Sequence, residues 1–405
     1  MSGAFTVPAF RRLWTAGLVS DAGDWLLFIA LPLVVYRITG SALGTSIAFL
    51  LELAPAVLLA PIAARLVGRF DRRRLMVTVN AGQAVVLLPL LVVHTAAQLP
   101  IAYAVIAAQA ALGTVFEPAK NALLPDLVAS DQLISANALV GLNQNLGRLV
   151  GGPAGGVLLA LGDLELVVAV DALSYFVSAV LIASVPIGAV VGPHADGAAM
   201  DAAPNGLLAA LSIRRLWGAY AVVFVSSIAQ GMFLVLFVLF VLNGIHGSDA
   251  DVGLLRGIQA IGAIGAGVAL GFLTRSGSAR TLTTISLFTF GAVSLVTWNL
   301  PLLTTSIAPY VVLFVLVGAP GVIFSTGLIS TLQQESTARQ RGAVFATIGM
   351  LSAVGQAVGI LAAGLVDGPV PLTALLQVQG CLYLASGIIA ATWLPRLTSV
   401  AQAAP

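Results

Sequence analysis

Apolar residues run through this chain in long unbroken stretches, separated by short polar connectors. The stretches fall at about Leu13–Tyr36, Ala42–Leu66, Leu75–His94, Pro100–Phe116, Ser135–Leu161 and Leu166–Pro186. A second set follows at about Leu216–Leu242, Val252–Thr274, Leu282–Leu300, Ser306–Leu332, Ala343–Val366 and Leu372–Leu394. A helix of roughly twenty apolar residues crosses the hydrocarbon core of a bilayer, and most of these stretches reach that length. The runs are long and continuous instead of ten-residue segments of alternating polarity, which predicts helices and not a barrel. The expected fold is an all-α membrane protein with about twelve transmembrane helices.

The Gly/Ala/Pro/Asp stretch from Ile187 to Asn205 divides the two sets. The expected domains are a first six-helix bundle at 1–186, a cytoplasmic linker at 187–212 and a second six-helix bundle at 213–405. The halves repeat one another. Phe10-Arg11-Arg12-Leu13-Trp14 opens the first and Ile213-Arg214-Arg215-Leu216-Trp217 the second. Gly40-Ser41 answers Gly247-Ser248, Leu146-Gly147-Arg148 answers Val354-Gly355-Gln356, and Gly156 answers Gly364. Two pseudo-symmetric parallel halves are a transporter architecture, with the substrate path between them near the midplane.

Composition agrees with burial in lipid: 59% of residues are hydrophobic and 8% charged, against about a quarter charged in a soluble chain. With the N-terminus placed in the cytoplasm, the inner connectors collect Arg11, Arg12, Arg65, Arg69, Arg72 to Arg74, Lys120, Arg214, Arg215, Arg275, Arg280, Arg339, Arg341 and Arg396. The outer side receives Arg37 alone, with the acidic Asp163, Glu165, Asp249, Asp251 and Asp367. The excess of inner arginine puts both termini in the cytoplasm and the chain in a cell membrane as a multi-pass protein. Trp14 and Trp217 read as anchors at the inner interface. The first apolar run is long enough to be a span, so no cleavable signal peptide is expected. Cys381 is the single cysteine, and His94, His194 and His246 lie far apart in connectors. Neither a disulfide framework, a metal site nor a cofactor is expected, and the chain is expected to be a monomer without a nucleic-acid partner.

The connector Ala64-Arg65-Leu66-Val67-Gly68-Arg69-Phe70-Asp71-Arg72-Arg73-Arg74 resembles the G-x-L-x-D-R-x-G-R-R signature of the major facilitator superfamily. Ala64 stands at the first Gly of that signature, Gly68 at its acidic position and Asp71 at its second Gly. Gly147-Arg148-Leu149-Val150-Gly151-Gly152-Pro153-Ala154-Gly155-Gly156 is similar to the Gly-Pro-rich motif of antiporters in the same superfamily. Gly23-Asp24-Trp25-Leu26, Phe116-Glu117-Pro118-Ala119 and Asn143-Gln144-Asn145-Leu146-Gly147-Arg148 look like the macrolide-efflux and enterobactin-exporter branch. The resemblance implies a secondary active transporter exporting a small amphiphilic molecule, such as a drug, antibiotic or secondary metabolite, in exchange for protons. It makes Arg69, Asp71, Arg72 and Arg73 a cytoplasmic gating loop, with Asp71 pairing with Arg69 or Arg72 in place of the missing acidic residue. The bland alternative is that the arginines only set topology. The same resemblance marks Gly147, Gly152, Pro153 and Gly156 as the antiporter-like motif.

A charge in the hydrocarbon costs at least about 2.5 kcal/mol on insertion scales, so each one asks for a partner or a task. Asp24, Glu52 and Arg148 fall near mid-depth, Asp21 lies one turn before Asp24, and Asp171 and Arg256 lie nearer the outer side. In one reading Asp24 or Glu52, with Asp21 a third candidate, binds the coupling proton, and Arg148 is the counter-charge. In the other, one of these carboxylates pairs permanently with Arg148 and only holds the bundle together. The repeat sets Glu52 against Gln259, Arg148 against Gln356 and Asp24 against about Ser227, so any proton coupling is expected in the first half. Gln109 and Gln230 are cavity candidates because the fourth and seventh spans line the path in the family. Trp25, Phe233, Phe324 and Gln356 are further candidates for the substrate wall, with simple packing the alternative for each aromatic.

Other classes fit less well. Lys120 is the only lysine, and its surroundings form no Gly-rich phosphate loop, so the chain is not an ATP-driven pump by that chemistry. Asp21 and Asp24 are the only carboxylate dyad of an intramembrane enzyme, with no His or Ser constellation beside them. An importer or a transporter-like sensor of the same fold remains open.

Overall fold

The computed structural model describes residues 3–186, 210–273, 278–367 and 371–395. Most of the linker at 187–212, together with His194, Arg275 and Arg396, lies outside the described residues. Among the described residues, ten helices are long and apolar enough to cross a membrane, and a bent pair adds an eleventh. Apolar side chains such as Val85, Phe176 and Phe272 point outward from them, as lipid allows and water would not.

In the first part of the chain α1 is Pro8–Thr39, α2 Ala42–Leu58, α3 Ala60–Arg69, α4 Arg72–Leu87, α5 Leu99–Leu127 and α6 Leu133–Ala183. Proline opens α1, where its missing N–H is not needed. Gly40, with φ of 63°, closes it, its N–H bonding Tyr36 O at 2.7 Å. The second predicted span, drawn as continuous from Ala42 to Leu66, is instead broken: α2 and α3 meet at Leu59 and differ in direction by 51°. Prolines on both sides of the break, Pro55 and Pro61, remove helix donors there. The fourth predicted span ended at Phe116, but α5 continues to Leu127. That extension moves Lys120 from a supposed connector into the helix, where it is 2% exposed.

α6 is two helices in one run. Gly162 (φ −148°) and Asp163 (φ 53°) interrupt it and separate a first arm, 133–161, from a second, 164–183. Counting these arms as two crossings gives twelve among the described residues.

In the second part, α7 is Trp217–Leu239, α8 Asp249–Leu273, α9 Ala279–Asn299, α10 Ile307–Glu335, α11 Ala338–Ala363 and α12 Leu372–Trp393. Ser278 caps α9 by accepting from Thr281 N at 3.1 Å, and Thr337 with Gln340 forms a capping box before α11.

The described residues group into two compact units. One holds residues 3–186 with Val238–Ala260, and the other residues 210–237 with the described residues from Ile261 onward. In the first unit α1 lies along α6, while α5 packs on α2, α3 and α4. In the second, α9 packs on α10 and α12.

Glycine sets the closest approaches. A side chain at Gly147 would meet Asp21, one at Gly151 the carbonyl of Ala22, and one at Gly155 the carbonyl of Leu26, so the first arm of α6 lies directly on α1. Gly152 and Gly156 face the other way, onto Gly253, Gly257 and the carbonyl of Asp249 in α8. Small residues at this spacing let helix backbones touch, a main source of helix association in lipid. The second unit repeats the register. Gly355 meets Phe224 and Gly359 meets Ile228, and these four positions answer Gly147, Asp21, Gly151 and Trp25 in the repeat.

Candidate functional site

A cavity of about 260 Å³ opens among the helices of the first unit. Asp24, Leu27, Phe28 and Leu31 on α1 form one wall, since positions three and four apart share a helix face. Ala48 and Glu52 come from α2, Gln83 from α4, Gln109 and Ala110 from α5, and Tyr175 from the second arm of α6. Two carboxylates and two amides thus sit in a mostly apolar wall. Among the described residues, no lysine, arginine or histidine lines it.

A chain of hydrogen bonds fixes the polar part. Tyr175 donates its hydroxyl proton to Asp24 Oδ1. Gln83 Nε2 donates to the same hydroxyl at 3.2 Å, and Gln109 Nε2 donates to the Gln83 carbonyl at 3.0 Å. One turn further along the same helices, Asn80 Nδ2 donates to Ser178 Oγ at 2.7 Å. Asp24 remains exposed on the cavity side, whereas Asp171 behind it is fully buried, with Ser174 Oγ at 3.1 Å from its Oδ1. Gly23 makes that approach possible: a side chain there would collide with Ser174 and Asp171.

The expected residues separate. Asp24, Glu52 and Gln109 share the cavity, while Asp21 lies one turn away, 8% exposed and outside the lining. Arg148 does not meet either cavity carboxylate. Its Nη2 donates to Asn145 Oδ1 at 3.3 Å and its guanidinium lies 5.7 Å from the centre of the Trp25 ring. Arg256 on α8 sits 5.6 Å from the centre of the Phe28 ring and 6.0 Å from that of Trp25. Trp25 thus lies within cation–π distance of two guanidinium groups and is not among the residues that line the cavity.

The remaining wall candidates belong to the second unit. Phe233 is buried against Phe237 at 5.4 Å and Trp298 at 6.3 Å between ring centres, an aromatic cluster that Phe314 completes. Gln230 accepts from Tyr383 at 3.0 Å, Gln356 donates to Ser352 at 3.3 Å, and Phe324 packs at the edge of the core around Tyr383. Tyr383 stands at the same spacing from Gly355 as Tyr175 does from Gly147. One side bonds a carboxylate and an amide. The other bonds Gln230 and stacks on Phe290 at 4.5 Å.

The basic connector is also corrected. Asp71 pairs with neither Arg69 nor Arg72: its Oδ1 accepts from Arg74 N at 2.8 Å and caps α4. Arg72 instead reaches Asp126 at 2.6 Å and the Ala122 carbonyl at 3.0 Å on α5. Arg73 donates to the carbonyls of Ile182 and Ala183 and Arg12 to that of Ser184, so arginines cover the bare C-terminal end of α6. Arg69 lies over Phe70 at 5.8 Å.

Sequence reasoning did not single out Tyr175 or the approach of Arg256 to Trp25 and Phe28. Asp171, Ser174 and Tyr175 at spacings of three and four were a readable signal, since they fall on one helix face.

Residues 13–360 match the family described as Major Facilitator Superfamily. The chain is 25% identical over 405 residues to the uncharacterized MFS-type transporter YfiS of Bacillus subtilis (strain 168), covering 94% of each. It is 23% identical over 390 residues to macrolide efflux protein A of Streptococcus pyogenes, again covering 94% of each. Over 153 residues, 36% of this chain and 37% of its relative, it is 30% identical to the multidrug efflux pump Tap of Mycolicibacterium fortuitum. Among solved structures it resembles a bacterial homologue of the iron transporter ferroportin in the inward-facing state, with a TM-score of 0.74, 16% identity and coverage of 96% and 99%. At that identity the likeness concerns the fold alone.

Proposed function

The chain belongs to the major facilitator superfamily, and we propose that it is a proton-driven exporter of small amphiphilic molecules, of the kind that drugs, antibiotics and secondary metabolites represent. The observation that carries this reading is the cavity wall: Asp24 and Glu52 face one apolar space, with Tyr175 and two glutamines to orient polar groups. An apolar pocket with a few convergent polar groups is the usual form of a small-molecule site. A carboxylate on its wall binds a proton or a polar substrate group, and competition between the two gives exchange. The efflux relatives support the direction of transport.

In this reading transport proceeds by alternating access, the two sequence halves 1–186 and 213–405 rocking against one another. The chain sits in the cytoplasmic membrane of a bacterium with both termini inside, as the arginine distribution favours.

The test is export of erythromycin and of ethidium from cells expressing the wild type, Asp24→Asn or Glu52→Gln, with and without a protonophore. Export that needs the gradient and fails in Asp24→Asn at unchanged membrane level supports antiport through Asp24. Failure in Glu52→Gln alone moves the proton to the second carboxylate. Gradient-driven accumulation would make the chain an importer, and indifference to the protonophore would refute proton coupling.

A further inference from the structure

Three side-chain donor groups stand on the cavity wall, and each is turned to a protein acceptor. The Tyr175 hydroxyl gives its proton to Asp24 Oδ1. Gln83 Nε2 donates to that hydroxyl at 3.2 Å, and Gln109 Nε2 donates to the main-chain carbonyl of Gln83 at 3.0 Å. A main-chain carbonyl only accepts, so the last bond also decides which way the Gln109 amide lies. Its Nε2 faces α4, and its Oε1 is left over. Gln109 is 7% exposed and lines the cavity, and its Oε1 has no hydrogen-bond partner among the described residues. A buried acceptor left without a donor is costly, so this one calls for a donor from whatever fills the space.

The other polar groups on the wall are acceptors too. Asp24 Oδ2 and the Glu52 carboxylate take no hydrogen bond or ion pair among the described residues, and they line the same space as Gln109. Gly113 lies one turn after Gln109 on the same face of α5, and a side chain there would meet nothing within 4 Å, so room is open beside the amide. Leu27, Leu31 and Ile106 supply apolar wall. At about 260 Å³ the cavity lies just below the usual range of roughly 300–1,000 Å³ for small-molecule sites, which suits a body of one or two rings.

This wall sorts head groups by chemistry. A carboxylate or phosphate would face two carboxylates and an amide oxygen. A neutral amide would give Oε1 its donor but leave the carboxylates without a counter-charge. A quaternary ammonium would bring the charge but no N–H. A protonated amine brings both.

We propose that the substrate of this cavity is a small amphiphile headed by a protonated amine, its charge set against Asp24 and Glu52 and one N–H given to Gln109 Oε1. Gln109 then separates amines that keep an N–H from quaternary ammonium ions. This rests on the exporter reading above and names its substrate class. A proton on either carboxylate removes charge that holds the ammonium, so the two cations compete for one wall.

Four ligands with one naphthyl body test this: 2-(1-naphthyl)ethylammonium, its N,N,N-trimethyl derivative, its N-acetyl derivative and 1-naphthylacetate. Their binding to the purified protein in a neutral detergent is measured by isothermal titration calorimetry. The expected result is tightest binding of the primary ammonium, with the trimethyl ion weaker by about tenfold or more for want of the hydrogen bond. The acetyl derivative and the acetate are expected to bind below detection. Gln109→Leu is expected to close the gap between the first two, and Asp24→Asn or Glu52→Gln to weaken both. Equal binding of the primary and trimethyl ions by the wild type would overturn the part given to Gln109. Binding of the acetyl derivative or the acetate as tight as that of the ammonium, or of none of the four, would overturn the substrate class. These comparisons use the wild type alone, so no variant has to fold for them to count. Liposomes carrying a pH gradient then test the other reading: a primary ammonium that binds in the expected order but is not moved would overturn the exporter and leave the ammonium site standing.

Discussion

The hydroxyl of Tyr175 donates to Asp24 Oδ1, and both side chains line one cavity. Tyr175→Phe keeps the ring and removes that donor, and a hydrogen bond to a charged group contributes about 1.5–3 kcal/mol. The expected outcome is slower export at normal membrane level, while Tyr383→Phe, whose hydroxyl bonds the neutral Gln230, has a smaller effect. Export rates of the two variants, side by side, check this.

Gly151 and Gly113 form a matched pair. A methyl at Gly151 runs into the Ala22 carbonyl, whereas one at Gly113 meets nothing within 4 Å. Overpacking of this kind costs about 1–3 kcal/mol. Gly151→Ala is expected to lower the melting temperature of the purified protein and its membrane level, and Gly113→Ala to leave both unchanged. Thermal denaturation in detergent decides between them.

Arg37 pairs with Asp249, but the two ends differ in burial: the Arg37 side chain is 45% exposed and that of Asp249 is 2% exposed. Arg37→Ala strands a buried carboxylate, while Asp249→Asn leaves a guanidinium that water solvates. Breaking a fully buried pair costs about 3–5 kcal/mol, and solvent screening at the arginine reduces the figure here. Arg37→Ala is therefore expected to destabilise more than Asp249→Asn, with Arg37→Ala/Asp249→Asn recovering part of the loss. Equal melting points for the two single variants would contradict this account.

Asp71 offers a test of cap against gate. If it serves the helix end, Asp71→Ala costs about 1 kcal/mol and Asp71→Ser, which still accepts from the backbone, restores it. Transport per folded molecule is then expected to stay unchanged in both. A serine variant that is stable yet inactive would return Asp71 to a gating part.

Much of this was readable in advance for a physical reason. Lipid leaves a backbone few options, so long apolar runs become helices wherever they occur. The carboxylates Asp24 and Glu52 stood out because charge in such a run is rare. Their partners did not stand out. Arg148 is near mid-depth by counting along the chain, but its direction around the helix points it at Trp25, which Arg256, far away in sequence, also approaches. Lys120 falls outside the predicted span Pro100–Phe116, yet α5 passes through Pro118 and Pro125 and carries it. Asp71 resembled half of an ion pair because its motif suggested one, whereas the nearest unsatisfied donor was the backbone of its own helix.

The first arm of α6 shows glycine on two sides, toward α1 at Gly147, Gly151 and Gly155 and toward α8 at Gly152 and Gly156. Packed helices usually interlock, with ridges of side chains seated in grooves, so that one moves past another only by lifting out of register. Bare faces have no teeth. Along these two tracks the arm is held by close backbone contact yet offers little resistance to shear, which gives it the properties of a plain bearing, and a single added methyl at Gly151 would act on it as grit.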